Sequence, residues 1–276
     1  MTTWFLTGAS RGLGRSLATA VLDRGDNAVL GARTTDALDD LARQHPTTAM
    51  IAAVDVTDDA QVADAVRAAE DRFGRIDVLV NNAGYGYRAA VEEGEDEQIR
   101  AVFDTNVFGP VRLIKDVLPG MRQRRSGAIV NISSIGARAC APGSGYSSAT
   151  KAALEGLSGS LQKELEPLGI SVTIVEPGAF RTDFSGSSIR ISEIEIDDYA
   201  ETAGKRRKEV DTAHGTQPGD PAKAATAIIT AVESPEPPAM LLLGTDALTS
   251  YREVLRAQLA EADAWAELTT STDFDA

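Results

Sequence analysis

A chain of 276 residues, 43% hydrophobic and 25% charged, has the composition of an ordinary globular protein and the length of one large domain or two small ones. Its net charge of −14 argues against electrostatic binding to nucleic acid or to an anionic membrane, both of which attract basic surfaces. A single cysteine, Cys140, rules out an intrachain disulfide, and His45 and His214 stand too far apart for metal-ligand spacing, so no metal is expected.

An apolar strand-like run begins at Trp4 and is followed by a helical stripe of Leu13, Leu17, Val21 and Leu22. Further runs lie at Ala28–Ala32, Met50–Val54, Val78–Val80, Ala128–Ile132, Val172–Val175 and Met240–Leu243. They are short and show little polar alternation, as strands buried on both faces should be. Between the third and fourth runs, Val62, Val66, Ala69 and Phe73 form a second stripe, with Asp58 and Asp59 placed to cap it. This alternation predicts an α/β fold: a Rossmann-type doubly wound parallel sheet of about seven strands between two helical layers.

Nothing in the composition divides the chain, so residues 1–276 are expected to form one domain. Two regions break the rhythm: residues 180–217 hold no convincing strand and are read as a substrate lid, and 246–268 form a helical tail. No apolar stretch is long enough to span a bilayer, and the first strand leaves no room for a signal peptide before it. The expected compartment is the cytoplasm.

The first strand runs directly into Thr7-Gly8-Ala9-Ser10-Arg11-Gly12-Leu13-Gly14 and then into a helix. Glycines there permit a tight turn and close approach of backbone to a pyrophosphate, and the helix N-terminus offers free N–H groups. The second strand ends Gly31-Ala32-Arg33, where sheets that select NAD usually carry an acid for the ribose 2′-hydroxyl. Arg11 and Arg33 instead suit a 2′-phosphate, which guanidiniums bind in bidentate fashion, so the expected cofactor is NADP.

Further motifs follow in order. They are Asp55-Val56, Asn81-Asn82-Ala83-Gly84, Asn106, Ser133-Ser134, Lys151, Pro177-Gly178 and Thr182. With Thr7–Gly14 they make residues 3–245 resemble the short-chain dehydrogenase/reductase family. The resemblance implies hydride transfer between a nicotinamide and a small carbonyl or alcohol substrate, in a homo-oligomer (dimer or tetramer) paired through the helices of Asn106 and Lys151. It implies that Asp55 and Val56 flank the adenine, and that Asn82, Ala83 and Gly84 pass the adenosine ribose. Lys151 would hold the nicotinamide ribose, and Pro177, Gly178 and Thr182 would lie along the nicotinamide and its phosphate. Ser134 would bond the substrate oxygen, and Asn106 would hold a water linking the lysine to solvent.

One departure matters. The family's general acid is a tyrosine four residues before the lysine, and here that position is Ser147; Tyr146 is one residue too early. At about 100° of helix per residue, its phenol is expected to point away from the site. Three readings stay open: a tyrosine replaced by serine, a natural cofactor binder without reductase activity, or an irregular helix start that brings Tyr146 in. The first leaves a reductase site impaired for want of a proton donor, because a serine hydroxyl is far less acidic than a phenol.

Other residues are weighed more briefly. Cys140, in the loop after Ser134, either lines the substrate pocket or, the favoured reading, is a small buried apolar residue. Ser133 is expected to bond backbone, and Lys205–Lys208 to form a solvated helix face. Phe180, Phe184 and the isoleucines near 190 either cover an apolar substrate or pack the lid. Trp265 either closes a contact between subunits or packs the tail onto its own.

Overall fold

The computed structural model describes residues 1–182, 184, 188–208 and 215–274. From the N-terminus come β1 (Thr3–Thr7), α1 (Gly12–Asp23), β2 (Asn27–Ala32), α2 (Asp39–Gln44), β3 (Ala49–Ala53), α3 (Asp59–Phe73) and β4 (Val78–Asn81). A short strand β5 (Gly86–Arg88) precedes α4 (Asp96–Phe103) and α5 (Gly109–Arg124). Next are β6 (Gly127–Ile132), α6 (Gly136–Ala139), α7 (Gly145–Leu165) and β7 (Ile170–Pro177). The C-terminal part holds β8 (Ile189–Ile191), α8 (Pro221–Val232), β9 (Met240–Leu243), α9 (Thr245–Ala264) and α10 (Ala266–Thr270).

Each of the seven apolar runs is a strand of one parallel sheet, ordered β3-β2-β1-β4-β6-β7-β9. Successive residues of β1 feed opposite layers. Trp4 and Leu6 pack with Leu17 and Val21 of α1 and Ile228 of α8, while Phe5 packs with Leu113 and Val117 of α5 and Leu161 of α7. Each such side chain, fully buried, contributes about 1.5–3 kcal/mol, which is why polar alternation is absent from these strands. Asp58 caps α3 as expected, accepting from the N–H groups of Ala60 and Gln61 at 2.9 and 3.0 Å.

The winding direction reverses between β1 and β4, and a crevice opens there at the carboxyl ends of the strands. The loops after β1, β2, β3, β4, β6 and β7 all reach it.

Residues 180–217 differ from expectation. They contribute β8, which pairs in parallel with β5 as a separate two-stranded sheet. The three residues Ile-Arg-Ile are too short a run to signal a strand alone, and such a ribbon needs outside support. Part of it comes from Arg207, expected on a solvated face but only 7% exposed, where its guanidinium grips the fully buried carboxylate of Glu93. Residues 183, 185–187 and 209–214, including His214, lie outside the described residues.

Candidate active site

The crevice is a cleft of about 570 Å³. One end is built by the loop after β1. Gly8 and Gly12 take φ of 65° and 56°, a left-handed conformation that favours glycine. A Cβ on Gly14 would lie 2.3 Å from the Gly8 carbonyl and 2.4 Å from Asn82 Nδ2, so this glycine lets α1 close against the loop. No side chain caps the first turn of α1 and no acid sits in it, leaving a positive helix end facing the cleft. Arg11 and Arg33 both line this end and both are exposed.

Thr7 and Asn82 tie the loops together. The Thr7 hydroxyl donates to the Val80 carbonyl at 3.2 Å and accepts from the N–H groups of Asn82 and Ala83, both at 3.0 Å. Asn82 Nδ2 donates back to the carbonyls of Thr7 at 2.9 Å and Gly8 at 3.1 Å. Thr7 therefore sets the position of the loop, a role the glycine spacing alone did not reveal. Asp55 folds onto Thr57, accepting from its N–H at 3.0 Å and its hydroxyl at 2.8 Å, and leaves Val56 against the cleft.

At the other end, Ser134 Oγ accepts from the N–H of Gly136 at 3.0 Å and lies on the cleft wall with Lys151. Lys151 Nζ donates to the Ile132 carbonyl at 2.7 Å. Burial pulls its pKa from the usual 10.5 down to about 8, against an opposing pull from the Glu155 carboxylate one helical turn away. The unfolded chain therefore binds a proton that the folded chain lacks between about pH 8 and pH 10.5, so stability rises with pH across that window. The stability gap between the unmodified protein and Lys151→Met should shift by roughly 3 kcal/mol over it in urea titrations. A gap independent of pH would contradict a desolvated ammonium.

Pro177, Gly178 and Thr182 also line the cleft. Gly178 is held by a residue beyond the last strand: a Cβ there would meet the Asp246 carboxylate at 2.3 Å, and Asp246 Oδ2 accepts from the Ala179 N–H at 2.7 Å. Asp246 was missed because an acid in the first turn of a tail helix reads only as a helix-end charge.

Three expected residues stand off the wall. Gly14 acts from behind the loop, as described. Asn106 lies in an irregular wide turn, Asp104–Phe108, joining α4 to α5, and is 1% exposed. Its Oδ1 accepts from the Tyr85 N–H at 3.1 Å, and its Nδ2 donates to the Tyr85 carbonyl at 2.9 Å and to Thr150 Oγ1 at 3.2 Å. The side chain thus fixes the strand-end backbone beside Gly84. Ser147 Oγ accepts from the Tyr87 N–H at 2.7 Å and donates to the Tyr87 carbonyl at 3.0 Å, so both its hydrogen-bonding roles are taken by β5. Tyr146 points away, as its register predicts, and donates to the Val91 carbonyl at 2.6 Å.

Two smaller expectations are corrected. Cys140 is exposed, in a left-handed conformation (φ 46°) at the end of α6, because the four-residue helix ends there rather than in the core. Ser133 donates to the Glu155 carboxylate at 2.6 Å rather than to backbone. Glu155 and the fully buried Glu176 share the Arg138 guanidinium, each at 3.0 Å, which keeps two carboxylates tolerable beside the site. Phe180 packs onto the core and also lines the cleft, while Phe184 lines it at 46% exposure.

Among the described residues no helix is long and apolar enough to cross a membrane. Residues 2–190 match the family model for short chain dehydrogenases. The oxidoreductase BOA17 of Botryotinia fuckeliana is 38% identical over 271 residues, covering 98% of each chain. A short-chain dehydrogenase from Streptomyces avermitilis superposes with a TM-score of 0.93 at 44% identity, over 99% of this chain and 100% of that one. Another, from Burkholderia cenocepacia in complex with NADP, has a TM-score of 0.73 at 26% identity, covering 95% and 96%. The chain belongs to the short-chain dehydrogenase/reductase family, an oxidoreductase family built on this parallel sheet.

Proposed function

We propose that this is an NADP-dependent reductase of small carbonyl compounds, or the matching alcohol dehydrogenase, impaired because Ser147 replaces its proton donor. The observation that carries the reading is the cleft itself. An anion-binding loop and two arginines stand at one end, and Ser134 with Lys151 at the other.

The residues present fit a dinucleotide. Gly8, Ser10, Gly12 and Leu13 offer a cradle and a bare helix end to the pyrophosphate, with Gly14 allowing the close approach. Arg11 and Arg33 take the 2′-phosphate, and Asp55 and Val56 flank the adenine. Asn82, Ala83 and Gly84 pass its ribose, Lys151 holds the other ribose, and Pro177, Gly178 and Thr182 border the nicotinamide. Once bound, the reduced dinucleotide supplies the hydride. Ser134 orients the carbonyl oxygen with its hydroxyl proton, and Asn106 keeps Gly84 and Tyr85 in place beside Lys151. Water must then deliver the proton that a phenol at position 147 would hold. The second reading, a binder without catalysis, is favoured by Ser147 Oγ being fully engaged by Tyr87. We place either activity in the cytoplasm, in a single domain that pairs with copies of itself through α4, α5 and α7, where Phe108 is 53% exposed.

Similar solved structures hold NADP or its 5-hydroxy derivative in some cases and NADH in another, so the choice rests on this chain's own arginines. NADPH should bind more tightly than NADH in fluorescence titrations. Arg33→Asp should weaken NADPH by about 1.5–3 kcal/mol and leave NADH nearly unchanged. Equal binding of both by the unmodified protein would contradict the assignment.

A further inference from the structure

We propose that α9 and α10 form an arm through which two copies of this chain associate, antiparallel about a two-fold axis. The arm is rooted in the fold by Asp246, which holds the Ala179 N–H, by the fully buried Ala247, and by Tyr251, whose ring lies 5.1 Å from the Arg138 guanidinium. Beyond that root, every described residue from Leu255 to Phe274 is exposed, so this part touches almost nothing of its own subunit.

The exposed surface is not polar all round. Leu248, Tyr251, Leu255, Leu259 and Ala262 recur at spacings of three and four, one face of α9, and Trp265 follows at the junction with α10, with Leu259 64% and Trp265 60% exposed. A helix without packing draws little stability from its propensity, and a row of bare apolar side chains marks a surface that is covered in use.

Charge selects the occupant and its direction. Beside the apolar face, the half of the arm nearer the root carries Arg252 and Arg256, and the outer half carries Asp263, with Glu267 beyond it. A second copy laid antiparallel sets each basic half against an acidic one and puts the two folded bodies at opposite ends. A parallel copy would stack arginine on arginine and carboxylate on carboxylate. The same surface on both copies is the self-complementary patch that a two-fold interface requires. This contact is separate from pairing through α4, α5 and α7, and does not depend on whether the chain reduces carbonyls.

The test is a charge swap read by light scattering. Arg252→Glu/Arg256→Glu and Asp263→Lys/Glu267→Lys change only exposed residues, so each chain should fold. Each alone should show half the particle mass of the unmodified protein at the same concentration, and an equimolar mixture should recover the full mass. Leu255→Glu/Leu259→Glu should also halve it, with no recovery on mixing. The proposal is overturned if the unmodified protein is a 29.1 kDa monomer, if the variants keep its full mass, or if the mixture stays at half.

Discussion

Ser147→Tyr is expected to raise carbonyl turnover by about 10²–10⁴ while leaving NADPH affinity nearly unchanged, because a general acid acts mainly in the transition state. The helix that carries it is regular from Gly145, so position 147 lies one turn before Lys151 on the same face. A phenol there would sit beside the ammonium that lowers its pKa. Tyr146 cannot serve in its place: its hydroxyl is committed to Val91, and its ring stands 5.9 Å from that of Tyr87. Tyr146→Phe should therefore leave turnover unchanged in both backgrounds. The gain at 147 has a cost, since Tyr87 loses a partner for its N–H and carbonyl in the edge strand β5. About 0.5–1.5 kcal/mol of stability should go with each lost bond, read as a lower denaturation midpoint. If Ser147→Tyr remains inert across ketones, aldehydes and alcohols, the binder reading gains. If Tyr146→Phe abolishes an existing activity, the register assigned to α7 is wrong.

The second large effect is expected at Arg207. Glu93 is fully buried and accepts four hydrogen bonds. Two come from the Arg207 guanidinium at 2.5 and 3.1 Å, and two from the N–H groups of Ala90 at 2.8 Å and Ile196 at 2.9 Å. Its backbone carbonyl also accepts from Ser192 Oγ at 2.6 Å. This knot fastens residues 192–207 to the segment between β5 and α4 and steadies the β5–β8 ribbon. Removing one partner of a buried pair leaves the other charge uncompensated, so Arg207→Ala should destabilise this region by roughly 3–5 kcal/mol. Hydrogen exchange should quicken at Ser192, Ile196 and Tyr199 before the sheet opens. The arginine, with the two backbone donors, holds the Glu93 carboxyl at about 2, below its usual 4.5. The contribution is thus complete above about pH 4.5 and lost as pH falls toward 2, and the variant should lack this acid sensitivity. Unchanged exchange and an unchanged acid limb would show that the pair does not fasten the segment.

The sheet was legible because its inner strands are buried on both faces and every strand carries a short apolar run, from Trp4–Thr7 to Met240–Leu243. The cleft was nearly as legible, since phosphate-loop glycines and strand-end residues declare themselves by position. What escaped were contacts between residues remote in sequence. Thr7 with Asn82, Asp246 with Ala179, and Glu93 with Arg207 join segments that no local pattern connects. Arg207 in particular lies in a basic run, Lys205–Lys208, that looks solvated until the fold brings a buried carboxylate to it. Asn106 was found, but its contacts with Tyr85 and Thr150 depend on an irregular turn that helical periodicity does not signal. Cys140 was misplaced because residue type predicts burial only on average, and the end of α6 decides otherwise.

The central claim is that a dinucleotide site survives intact around a missing phenol, and equilibrium binding of NADPH tests it most directly. Titrated into the unmodified protein and into Ser147→Tyr, NADPH should bind saturably, one per chain, with affinities that agree within a few fold. Absence of saturable binding to the unmodified protein, or binding that appears only once Tyr occupies position 147, would contradict it.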